Sequence, residues 1–175
     1  MKGRVPVPRS IRPLSLALAV LLLLGAAAPV LAAAEGTGLP LPRFVSLRSE
    51  KAKLRTGPGV QYPEDWVYLR KDMPLEIIAE HHTWRKVRDW QGTQGWMHQS
   101  LVSGKRTLII TGATRTLRSK PDSDSRAVVR AEAGVVGFLL GCPAGSAWCQ
   151  AEIDGFKGWL RRVEFWGAYA DEAVE

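Results

Sequence analysis

Cys142 and Cys149 are the only cysteines of the chain, and His81, His82 and His98 are its only histidines. Three chemistries are open to such a set: a thiolate nucleophile with an imidazole base, a metal centre, or a disulfide. A catalytic thiol needs a histidine beside it and a turn that exposes the sulfur. All three histidines precede both cysteines by a wide margin, and no Gly-rich nucleophile turn surrounds Cys149. His81 and His82 are adjacent, so on a strand they point to opposite faces and do not converge on a metal; both read as surface residues. Six residues separate Cys142 from Cys149, the wrong spacing for Cys-x-x-Cys redox chemistry. Pro143 and Gly145 lie between them and favour a hairpin loop with the sulfurs facing each other across adjacent strands. A Cys142–Cys149 disulfide is the expectation, with two free buried thiols as the alternative. Neither a phosphate-cradling loop nor a nucleic-acid motif is present. The chain is expected to be non-catalytic, without cofactor or metal, and not to bind nucleic acid.

The elements that position these residues come in two copies. Leu54-Arg55-Thr56-Gly57-Pro58 returns as Leu117-Arg118-Ser119-Lys120-Pro121, and Gly92-Thr93-Gln94-Gly95-Trp96 returns as Gly155-Phe156-Lys157-Gly158-Trp159, each 63 residues later. Trp84 returns one residue late, as Trp148. That period is long for a solenoid unit and suits a small domain copied once. Within each copy, four-residue runs rich in β-branched and aromatic residues alternate with Gly, Pro and Asp: 44–47, 66–69, 75–78 and 84–87 in the first. No stretch carries a convincing helical stripe, although Gln99-Ser100-Leu101 has room for one short turn. Closely spaced short strands of this kind predict an all-β fold of two small barrels. At the 63-residue offset, residues 44–47 fall on Thr107-Leu108-Ile109-Ile110, where the last strand of the first barrel is also expected. One strand shared by both barrels, and hence a rigid tandem, is the expectation.

The first 34 residues differ in kind. Lys2, Arg4, Arg9 and Arg12 precede an unbroken apolar run over 14–28, and Ala32-Ala33-Ala34 offers small residues for cleavage. This is the layout of a secretory signal peptide; an uncleaved membrane anchor is the alternative. Cleavage predicts a periplasmic or secreted bacterial protein with no remaining membrane span, in which a disulfide is at home. Of the net charge of +7, four charges belong to this leader, which leaves a mature surface near +3. The remaining basic residues are interspersed with acidic ones, so a solvated face explains them as well as an anionic envelope partner does. The expected layout is signal peptide 1–34, Gly/Pro-rich linker 35–42, first barrel 43–107, second barrel 108–169 and acidic tail 170–175.

In order along the first copy, Leu54-Arg55-Thr56-Gly57-Pro58-Gly59, Trp84-Arg85-Lys86-Val87 and Gly92-Thr93-Gln94-Gly95-Trp96-Met97-His98 resemble the bacterial SH3-like (SH3b) domain family. The second copy keeps Leu117-Arg118, Pro121, Trp148, Gly155 and Gly158-Trp159, and lacks the counterparts of Gly57 and Val87. The resemblance implies two SH3-like barrels and a role in binding peptides or cell-wall material without catalysis. The partner is then a peptide or a peptidoglycan stem peptide. The alternative is an envelope protein, with the chain as adaptor or regulator of a separate enzyme.

A fold needs only the positions its copies share. Trp84 and Trp148 lie mid-strand in both and read as barrel core; Trp96 and Trp159 follow a turn glycine in both. Tyr62, Trp66, Trp90 and His98 have no counterpart of the same type in the second copy. Tyr62, Trp66, Trp90, Trp96 and His98 are therefore expected to line a ligand groove in the first barrel, against the alternative that they pack loops onto it. On the same reasoning the second barrel is expected to lack a groove and to serve as a support stapled by its disulfide.

Overall fold

Period-two alternation turns both copies into strands, and the structure, a computed structural model, describes residues 36–175. The leader read over 1–34 lies outside the described residues. The first repeat comprises β1 (Arg43–Leu47), β2 (Ala52–Arg55), β3 (Glu64–Tyr68), β4 (Pro74–His81), β5 (Trp84–Arg88), β6 (Gln94–His98) and β7 (Val102–Ser103). The second comprises β8 (Thr107–Ile110), β9 (Arg115–Arg118), β10 (Ala127–Ala131), β11 (Val136–Gly141), β12 (Trp148–Ile153), β13 (Phe156–Arg161) and β14 (Phe165–Trp166). Each repeat is one seven-stranded sheet. The orders are β3-β2-β6-β5-β4-β1-β7 and β10-β9-β13-β12-β11-β8-β14, the same path traced twice. Gln99–Leu101 forms a single 3-10 turn, as its sequence allows, and Arg162–Glu164 repeats it.

Each sheet supplies its own core. Leu47, Leu54, Leu75, Ile77, Val87 and Met97 meet in the first cluster. Ile110, Leu117, Leu139, Ile153 and Leu160 meet in the second. Residues from inner and outer strands join one cluster, so each sheet wraps around its apolar face, helped by register shifts at Ile77/Ala79 and Leu139/Gly141 that sharpen its bend. The wrapped sheets stay open, since the edge strands β3 and β7, and likewise β10 and β14, do not pair with each other. The closed barrels expected from sequence are thus open, curled sheets.

The shared strand is also corrected. β1 is flanked by β4 and by the two-residue β7, whereas β8 pairs only with β11 and β14. The first sheet therefore ends on Val102-Ser103, and Gly104-Lys105-Arg106 carries the chain into a strand of its own sheet. What made β8 look dual is its burial on both faces: all four of its residues are buried. Leu108 and Ile110 enter the core, while Thr107 and Ile109 are covered on the other side.

The repeats meet through named contacts. Phe44, on the outer face of β1, packs edge to face on Trp166 at 4.8 Å and against Tyr169 at 4.7 Å. The Tyr169 hydroxyl donates to buried Glu76 Oε1 at 2.8 Å, and Arg88 Nε donates to Glu76 Oε2 at 2.8 Å. Arg70 Nη1 donates to the Gly134 carbonyl at 2.6 Å. Arg106 in the connector binds Glu172 Oε1 and Oε2 at 2.6 and 3.0 Å. The segment read as an acidic tail is held too: Cys142 and Val174 exchange backbone hydrogen bonds of 2.8 and 3.0 Å. Cys142 and Cys149 form the expected disulfide, closing the hairpin between β11 and β12. A loop this short contributes about 2–3 kcal/mol in the chain-entropy account. His82 occupies the β4–β5 turn at φ 48°, so the His81 and His82 rings are not split by strand alternation and lie 4.5 Å apart.

Burial, followed by the bond and charge of Glu76, pushes the Tyr169 phenol well above its ordinary range. Burial and Asp89 do the same to Tyr68, whose hydroxyl donates to Asp89 Oδ2 at 3.1 Å. A phenol raised in the fold lends stability that is whole below the unfolded value near 10 and is lost as pH climbs past it. Replacing Tyr169 with Phe should cost about 1.5–3 kcal/mol at neutral pH, the range for a hydrogen bond to a charged acceptor. It should also shrink the loss of stability above about pH 10; thermal unfolding across pH 7–11 measures both.

Candidate functional site

Strand parity decides what each repeat shows to solvent. β5 buries Arg85 and Val87 and turns Trp84, Lys86 and Arg88 the other way. In Trp-x-x-Val the two residues are three apart, so a strand sends them to opposite faces. Val87 takes the core position and Trp84 is left half-buried on the outside. Trp148 is also half-buried and belongs to neither apolar cluster. The core role expected for this pair is therefore overturned by the odd spacing of the motif itself.

β6 alternates likewise, with Gly95 and Met97 buried and Trp96 and His98 facing out. Pairing sets His98 opposite Trp84 and Trp96 opposite Lys86; the Trp84 and His98 rings meet edge to face at 5.8 Å. Gly95 lets β2 cross closely, because a Cβ there would lie 2.5 Å from the Leu54 side chain and 2.9 Å from the Arg55 carbonyl. That approach sets Arg55 beside Trp96. Gly158 does the same against the Arg118 carbonyl, at 2.9 Å.

The outward row ends in a cleft of about 430 Å³ lined by Lys51, Lys53, Arg55, Val60, Trp84, His98 and Leu101. Its size falls in the range of small-molecule sites. Arg55 is held by its loop: Nη1 donates to the Val60 and Tyr62 carbonyls at 3.2 and 2.7 Å. Arg55 Nη2 and Lys53 Nζ both reach Glu64 Oε1, at 3.2 and 2.8 Å. The Lys53 bond, aided by the charges of Lys53, Arg55 and Lys51 and opposed by desolvation, holds the Glu64 carboxyl below its usual range. His98 Nδ1 accepts from the Ser100 N–H at 3.3 Å and lies 2.8 Å from the Ser100 hydroxyl. The site joins an aromatic wall to a cationic floor, an arrangement suited to a ligand with an apolar body and an anionic group.

The five residues expected to share a groove do not converge. His98 lines the cleft. Trp96 lies on the same face one pair away, beside Lys86 and Arg55. Trp66, 50% exposed, pairs with Leu54 on the edge strand β3, so its register puts it on the opposite face from Arg55. Trp90 is half-buried in the β5–β6 turn. The Tyr62 ring covers Gly57, where a Cβ would fall 2.4 Å from it. The second repeat changes both members of that contact, to Lys120 and Ser125. Sequence reasoning missed Trp84, Lys51, Lys53, Arg55, Val60 and Leu101 as lining residues; the three-residue step from Trp84 to Val87 was the available signal.

The second repeat does carry a cleft, contrary to expectation. It measures about 150 Å³ and is lined by Thr114, Arg115, Thr116, Arg118, Ser123, Trp148, Arg161 and Glu164. Shifted back by 63 residues (64 for the tryptophan), seven of these eight fall on the seven residues of the first cleft.

A motif set used twice, one sheet path traced twice and one cleft built twice define a tandem of small β modules. The chain belongs to the bacterial SH3 domain family, which matches it at residues 48–104 and again at 112–167. Among solved structures, it is similar to NlpC2 of Trichomonas vaginalis (10% identity, 73% of this chain and 49% of that one, TM-score 0.34). It is also similar to NlpC1 of the same organism (11%, 77% and 49%, TM-score 0.34) and to an NlpC/P60 family protein of Bacillus cereus ATCC 10987 (14%, 73% and 58%, TM-score 0.32). The chain spans about half the length of these structures. No curated protein matches it significantly.

Opposite parity predicts opposite costs. Val87→Ala should destabilise by about 1.5–3 kcal/mol, the value for burying an aliphatic side chain. Trp84→Ala should lose only about 1 kcal/mol, far below the 3–5 of a core aromatic. Thermal or denaturant unfolding of the two variants decides it, and equal losses would return Trp84 to the core.

Proposed function

We infer that the protein is a non-catalytic binding module of the bacterial cell envelope that recognises peptide or peptidoglycan material through the cleft of its first repeat. The leader-like residues 1–34 and the disulfide support export to the periplasm or beyond. The observation that carries the reading is the pairing of Trp84 and His98 over Lys51, Lys53 and Arg55. Aromatic walls hold extended or cyclic carbon skeletons at low entropic cost, and the cations suit the free carboxylates of wall peptides. The contacts through Phe44, Tyr169 and Glu76 support the two repeats acting as one rigid body.

A second reading, an adaptor for an envelope protein, draws on one observation. The edge strand β3 is unpaired on one side and exposes Trp66 and Val67, the geometry for adding a partner strand. Sedimentation with purified sacculi separates the two. Trp84→Ala with His98→Ala, in a protein folded by circular dichroism, should lower sacculus binding at least tenfold, while Trp66→Ala leaves it intact. If Trp66→Ala alone abolishes cross-linking to a cellular protein and sacculi bind neither form, the adaptor reading replaces the first.

A further inference from the structure

We propose that the cleft of the second repeat is a separate site for a carboxylate, the end of a peptide or an acidic side chain. This goes beyond the reading of the first repeat and does not depend on it. Both copies keep the arginine, Arg55 or Arg118, and the outward tryptophan, Trp84 or Trp148. The other lining positions differ in chemistry. Lys51, Lys53 and Val60 give way to Thr114, Thr116 and Ser123, which are short hydroxyl donors, and His98 gives way to Arg161. Two lysines and a valine are thus replaced by short hydroxyl side chains, and the space narrows from about 430 to about 150 Å³. That volume is too small for a peptide and sufficient for a carboxylate with the carbons next to it.

The cleft already holds one carboxylate. Glu164, at the position of Leu101, accepts the Arg161 backbone N–H at 2.9 Å through Oε2, and Arg161 Nε and Nη2 at 3.3 and 3.2 Å through Oε1. The carboxylate–guanidinium fit is therefore built into the site. It is also incomplete, because three guanidinium groups, Arg115, Arg118 and Arg161, line the cleft with the one carboxylate of Glu164, which pairs with Arg161, while Arg115 Nε donates to the Thr111 carbonyl at 3.4 Å. Arg118 is pre-oriented by one bond, from Nη1 to the Ser125 carbonyl at 2.7 Å, and a guanidinium offers five N–H donors. A forked donor of fixed plane, with hydroxyls alongside and the Trp148 ring as an apolar wall, is the means of recognising a planar carboxylate in preference to a diffuse anion.

The test titrates the whole chain with N-acetylglycine and, separately, with inorganic phosphate at constant ionic strength. It follows the Trp148 indole N–H signal by NMR, assigned by its loss in Trp148→Phe. N-acetylglycine should shift it saturably in the millimolar range, and Arg118→Ala should weaken that binding at least tenfold. Should Arg118→Ala fail to fold, Arg118→Lys, which keeps charge but loses the fork, should weaken it several-fold. Glu164→Gln keeps an acceptor for the Arg161 N–H while removing the competing charge, and should tighten binding several-fold. Trp84→Ala with His98→Ala should leave this titration unchanged, so failure of the first-repeat reading is seen separately in the sacculus assay. No saturable shift, a shift with phosphate alone, or affinity unaltered by both Arg118→Ala and Glu164→Gln would overturn the proposal.

Discussion

Each repeat has one sheet and one apolar face, and only itself to bury that face against. A single sheet of short strands satisfies this by curling until its own inner side chains meet, and the rest of the architecture follows from that curl. Positions of one parity are committed to Leu47, Leu54, Ile77, Val87 and Met97 in the first repeat, and to their counterparts in the second. Positions of the other parity are excluded from the core whatever their hydrophobicity. Trp84 and Trp148 are large apolar side chains on the excluded parity, so each becomes the wall of a cleft.

The same economy explains the joint. A curled sheet of this size leaves part of its outer face apolar; β1 and β8 are buried on both faces, and the repeats meet at the outer face of β1. Phe44 between Trp166 and Tyr169 supplies the apolar part of that contact. Glu76 supplies the polar part, and it is satisfied from both directions, by Arg88 of its own sheet and Tyr169 of the other. A buried carboxylate is tolerated where its oxygens are so occupied. The three-residue connector leaves little slack, and Arg106 within it is itself anchored to Glu172.

Much of this was legible in the chain. The all-β class, the duplication, the Gln99–Leu101 turn and the cysteine pairing follow from local patterns, because turn chemistry, period-two alternation and loop length act over a few residues. For Trp84 the local pattern carries the answer too: its step of three to Val87 outweighs its hydrophobicity. Gly57 as a motif residue and Tyr62 as a ligand-face residue look independent along the chain, but in the fold the glycine leaves room for the ring. The second cleft is not legible from the rule that shared aromatics belong to the scaffold, because Trp148, like Trp84 in the first repeat, walls a cleft at the surface.

By itself the sequence determined the number of modules, their strand content, the family and the residues available to each face, since all of these depend on neighbours along the chain. Only the tertiary structure decided that the sheets stay open, that β8 belongs wholly to the second one, and that Trp66 and His98 lie on opposite faces. It alone gathered Lys51, Arg55, Val60, Trp84 and Leu101 around one space. Those outcomes depend on register and curl, which bring together residues tens of positions apart, and no local pattern encodes which of several strand pairings will best close a core.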